Sequence, residues 1–86
     1  MHEMSIALEV CRIAEEKVGR AALPDVREIG LVVGRRSGVE PDSLLFCLDA
    51  LLEGAPFRNA RAVLEVMPGD ELRVSYLEVD DGDPPD

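Results

Sequence analysis

The sequence predicts an α/β (α+β) fold in one small domain, with two helices packed on one face of a three-stranded mixed sheet in the order α-β-α-β-β. Three observations carry that prediction. Apolar residues recur at helical spacing over 4–19 and again over 41–53, the period that lays a stripe along one side of a helix. They alternate at strand spacing over 60–67 and 72–79. Between the two helical stretches, 26–34 is apolar on both faces, as a central strand must be. A strand–helix–strand unit crosses over right-handed and leaves its strands parallel, so a returning third strand makes the sheet mixed. A chain of 86 residues buries about 60–65% of its unfolded surface, which leaves room for one core and one site.

In the first helix Ile6, Val10, Ile13 and Ala14 form the stripe, while Glu9, Arg12, Glu15 and Glu16 take the other side. Glu9–Arg12 and Glu16–Arg20 are surface pairs worth about 0.2–0.5 kcal/mol each. Gly19 and Pro24 are stop signals. In the strand that follows, Ile29, Leu31 and Val33 share one face and Val26, Gly30 and Val32 the other. Arg35-Arg36-Ser37-Gly38 ends it, either as a partner contact or as a solvated turn. Pro41 suits the first position of a helix, which places Glu40 at its N-cap. Glutamate is not a favoured cap residue, so this carboxylate is either drawn to the helix dipole or free to face something else.

The second helix carries Leu44, Leu45, Leu48, Leu51 and Leu52 to about Glu53, with Gly54 at the C′ position and Pro56 blocking continuation. Ala62, Leu64 and Val66 then oppose Arg61, Val63 and Glu65. After the turn Pro68-Gly69-Asp70, Leu72, Val74 and Tyr76 oppose Arg73, Ser75 and Leu77, a pattern that reads as a hairpin. The domain is expected to span 1–80. The acidic, proline-bearing tail 81–86 is expected to be disordered.

Eighteen acidic against nine basic residues give a formal charge of −9, the wrong sign for nucleic acid, which needs a basic face. The same charge repels an anionic membrane and suits a basic protein partner or a cation. No apolar run approaches the roughly 20 residues of a membrane span, and no signal-peptide pattern opens the chain; the expected location is cytoplasmic. Cys11 and Cys47 are too few and too far apart for a zinc ribbon. They are expected to pack as core thiols, without a disulfide in a reducing cytosol and without structural zinc, which needs four ligands. One histidine and no nucleophile–base–orienter set exclude an evident catalytic centre, so an enzyme is not expected.

The opening Met1-His2-Glu3-Met4-Ser5 places the single histidine next to the first residue. The α-amine of Met1, the amide nitrogen of His2 and its imidazole can close fused chelate rings around one metal ion, and imidazole suits nickel, copper and zinc. Glu3 adds a carboxylate oxygen. A helix starting here has four N–H groups without intrahelical partners, and its positive end disfavours a cation unless the ligands bring negative charge.

These five residues, together with Ile29-Gly30-Leu31-Val32-Val33-Gly34-Arg35-Arg36-Ser37-Gly38-Val39-Glu40-Pro41 and Glu71-Leu72-Arg73-Val74-Ser75-Tyr76-Leu77-Glu78-Val79-Asp80, resemble the HypA/HybF nickel-incorporation proteins of [NiFe]-hydrogenase maturation. The resemblance covers nearly the whole chain. It implies Ni(II) bound through Met1 and His2 with Glu3 contributing, and an acidic residue near the metal at the entrance of the second helix, here Glu40. It also implies delivery to a HypB-type GTPase and then to the hydrogenase large subunit. The family carries a zinc ribbon with two C-x-x-C pairs between the second and third strands, whereas Met67-Pro68-Gly69-Asp70 joins those strands directly here. Zinc binding therefore does not carry over, whether the shortening is natural or made by deletion. If the sheet keeps those strands apart, so short a link implies a third strand donated to a neighbour, which leaves a monomer or a strand-swapped dimer as the expected states. The competing functional reading is a protein-interaction or regulatory module that does not move metal.

Overall fold

The computed structural model describes residues 2–80; Met1 of the expected chelate and the tail 81–86 lie outside them. Helix α1 spans Glu3–Val18, strand β1 Val26–Gly34, helix α2 Pro41–Leu52, strand β2 Arg61–Met67 and strand β3 Leu72–Val79. The expected element order and mixed sheet are present. No helix among the described residues is long and apolar enough to cross a membrane.

The core lies between the helices and one sheet face. Ile6, Ala7, Val10 and Ala14 of α1 and Leu44, Leu48 and Leu52 of α2 join Ile29, Leu31 and Val33 of β1 in one buried cluster there, together with Val39 and Phe57. Each of the larger side chains contributes about 1.5–3 kcal/mol by leaving water. Cys11 and Cys47 are half-buried free thiols packed against this core, and burial raises the pKa of the Cys11 thiol. Gly19 ends α1 with φ +86°, a conformation glycine adopts without strain. Between α1 and β1 a 3-10 turn, Arg20–Asp25, inserts Leu23 fully into the core. Gly54 follows α2 without the left-handed φ of a C′ glycine. On the surface of α1, Arg12 bonds both Glu9 and Glu16, and Arg20 reaches Glu15 rather than Glu16.

The sheet order is β2-β1-β3, with β1 parallel to β2 and antiparallel to β3. The expected hairpin is therefore corrected: β2 and β3 flank β1 and do not pair with each other. The turn Pro68-Gly69-Asp70 does reverse the chain, but it does so across the end of β1. There the Gly34 N–H donates to Glu71 O at 2.6 Å, Arg35 N–H to Met67 O at 2.7 Å and Arg36 N–H to Gly69 O at 2.7 Å. Two strand spacings amount to about 10 Å, and four residues reach about 13 Å, so the link closes within one chain. The strand-swapped dimer loses its premise, because β3 pairs with its own β1. A Cβ at Gly34 would run into the main chain of Gly69 and Glu71, so only glycine lets the link lie this close.

Two bulges also correct the expected faces. A register shift between Val26 and Glu28 turns Val26 into the core beside Ile29. A second shift pairs Gly30 with Tyr76 and Leu31 with Val74, leaving Ser75 as the extra residue. Tyr76 thereby moves to the helix-free face and Leu77 to the core side, the reverse of strict alternation.

Candidate metal centre

The starts of the two helices converge on one corner. His2 is the N-cap of α1, extended at φ −91°, ψ 129°, and its carbonyl accepts from the N–H groups of Ser5 at 3.1 Å and Ile6 at 3.4 Å. Its side chain makes no cap hydrogen bond, and the residue is exposed. Glu3, the acidic residue of the first turn, accepts the Glu40 N–H at 3.1 Å through Oε2. That donated N–H, seconded by the residue's own, holds the Glu3 carboxyl below the ordinary carboxylate range.

Glu40 does cap α2, against the expectation from residue preference. Its Oε1 accepts the Asp42 N–H at 3.0 Å, with Pro41 ahead of it in the first turn. The N2 amide is one that a capping oxygen normally meets, and the longer glutamate reaches it from an extended backbone. Of the four expected ligands, the structure thus joins Glu3 to Glu40 by a main-chain contact and sets His2 beside Glu3. Among the described residues there is no cluster of three or more histidine, cysteine or acidic side chains placed to hold a metal. What the corner offers chemically is an exposed imidazole, amide nitrogens and carboxylates against two positive helix ends. Such a donor set suits a borderline cation held openly.

A second constellation escaped the sequence reading. On the helix-free sheet face Glu28 receives Arg61 Nε–H at 2.8 Å on one oxygen and the Tyr76 O–H on the other, which ties β2, β1 and β3 together. The tyrosine O–H first, then Arg61, lowers the Glu28 pKa, and Glu28 in turn raises that of Tyr76. The Tyr76 ring lies against Gly30, where a Cβ would collide with it. Glu28 and Arg61 are register partners, but spacing alone carries no signal of that pairing.

Comparison with known proteins bears on the same residues. Residues 1–72 match the family described as hydrogenase/urease nickel incorporation, metallochaperone, HypA. The hydrogenase maturation factor HypA of Chlorobaculum parvum is 45% identical over 65 residues, covering 76% of this chain and 58% of its own length. Its counterpart in Geobacter sp. strain M21 is 42% identical over 69 residues, 80% of this chain and 60% of the relative. That of Albidiferax ferrireducens is 35% identical over 69 residues, 80% and 61% respectively. The chain spans about three fifths of the length of these curated relatives. With the family match extending over most of its residues, including both helix starts, the chain belongs to the HypA family of hydrogenase/urease nickel-incorporation proteins.

Proposed function

We propose that this chain is a nickel carrier, not an enzyme, that holds Ni(II) at its N-terminus and passes it to the hydrogenase maturation machinery. The Met1 amine and the amide and imidazole of His2 close the chelate; Glu3 supplies charge, and Glu40 acts from the edge of the site. Nickel is cargo here, so an exposed site with few ligands is an advantage for release. A HypB-type GTPase and the hydrogenase large subunit are the recipients this reading implies. The observation that supports it most is the Glu3–Glu40 contact, which brings the second helix entrance to the Met-His-Glu segment across 37 residues of sequence. The carboxylates gathered there offset the positive helix ends that would otherwise repel a dication.

Calorimetric titration with Ni(II) tests the ranking of ligands. His2→Ala removes a ring-closing nitrogen and is expected to abolish most of the binding. Glu40→Gln removes charge but no chelate ring, and is expected to weaken binding only a few-fold, roughly what one exposed charge contributes. Equal losses from the two substitutions would refute the chelate.

A second reading, an interaction module without metal transfer, is favoured by one feature. The carboxylates of Glu3 and Glu40 are both engaged in structural hydrogen bonds. Under that reading His2→Ala leaves partner binding intact and nickel binding is absent from the unsubstituted chain.

A further inference from the structure

We propose that two copies of this chain pair edge to edge through β3, antiparallel about a two-fold axis between Ser75 and Tyr76, to form one continuous six-stranded sheet. β3 is an edge of the sheet, so its outward main-chain groups are a template for another strand. Two clefts of about 270 Å³ each run along it beneath α1, one floored by Leu72 and Val74 and the other by Val74 and Leu77. Ile13 overhangs both. The helix thus shelters an apolar shelf along the last strand.

The bulge selects the occupant. Leu72, Val74 and Leu77 face the helices, whereas Tyr76 and Glu78 pair with Gly30 and Glu28 on the open side and Arg73 pairs with Val32 there. A strand facing its own copy must match helix-side residues with helix-side residues, because successive side chains alternate faces. The register whose residue numbers sum to 151 satisfies this at every pair except the extra residue Ser75 opposite Tyr76, and it alone uses all of Leu72–Val79. In that register Leu72 meets Val79, Val74 meets Leu77, and Arg73 meets Glu78 twice over. Charges opposed across a strand pair stabilise it, and here the strand complements itself. The same axis sets the Glu9 end of one cleft beside the Lys17 end of the other. Glu71 and Asp80 face each other just beyond the ladder, where Arg73 and Arg27 of their own chains already hold them.

Sedimentation velocity on the full chain over a concentration series tests this, with circular dichroism confirming folding of each variant. The unsubstituted chain is expected to dimerise as concentration rises. Arg73→Glu and Glu78→Arg each turn two attractive pairs into two repulsive ones, and each should weaken the dimer roughly tenfold or more. The double variant Arg73→Glu/Glu78→Arg should restore it, and an equimolar mixture of the two single variants should form a mixed dimer. A monomer at every concentration, or a dimer that ignores the swaps and their mixing, would overturn the proposal.

Discussion

The Glu3 carboxylate serves two purposes that compete. It accepts the Glu40 N–H and so ties one helix start to the other, and under the proposed function it also supplies charge to the chelate. Glu3→Gln keeps an acceptor of the same reach while removing the charge, so thermal melting is expected to change little and nickel affinity to fall. Glu3→Ala should lower both. Loss of folding in the glutamine variant would show that the charge, not the acceptor, carries the tie. The Glu28–Tyr76 contact makes a separate prediction about pH. The folded-state pKa of Glu28 is lowered, so its contribution is present above the ordinary glutamate value of about 4.3 and is lost as pH falls through the lowered value. The folded-state pKa of Tyr76 is raised, so its contribution is present below its ordinary value of about 10 and is lost as pH rises through the raised one. Tyr76→Phe should therefore flatten the melting profile at both extremes and leave the middle of its shape unchanged. An unaltered acid limb would refute the contact.

At the scale of elements, the packing of α2 against α1 and β2 is a transfer effect with a known size. Leu48 is completely buried, and Leu48→Ala is expected to cost about 2–5 kcal/mol, a large share of the stability of a domain this small. Denaturant unfolding measures it. Gly30→Ala drives a methyl into the Tyr76 ring and should cost about 1–3 kcal/mol. Because the obstacle is a side chain, the same change made in a Tyr76→Ala background should cost much less, and a double-mutant cycle that shows no coupling would contradict the packing. Both helices, the three strands and most of the core stripe were legible in the sequence, since apolar periodicity reports directly which side of an element is buried. The partner of β3 was not. Pro68-Gly69-Asp70 encodes a reversal of direction, and a reversal is equally compatible with pairing next door or with stepping over β1. The bulge at Ser75 was hidden for a related reason: strict alternation assigns Tyr76 and Leu77 plausible but reversed faces, and only the cross-strand register reveals the extra residue. Leu23 was missed because a single buried side chain in a short turn has no period.

For the whole molecule, the crossing of 68–71 over Gly34 decides how the sheet closes. Gly34→Ala meets main chain rather than a movable side chain, so it is expected to destabilise more than Gly30→Ala, and no single side-chain truncation should rescue it. Of the candidate corner, the N-cap position of Glu40 was readable from Pro41. The Glu3–Glu40 tie was not, because it joins a side chain to a main-chain amide and leaves no mark in the pattern of residue types. The proposed chelate is terminal. Metal ligands bind deprotonated, and extending the chain before Met1 turns the amine into an amide and moves His2 to the wrong ring position, while the core is untouched. The deciding measurement is a pair of nickel titrations at neutral pH on the native and the N-terminally extended chain, with circular dichroism as the folding control. The extended chain should fold normally and lose most of its nickel affinity; equally tight binding by both forms would contradict an N-terminal site.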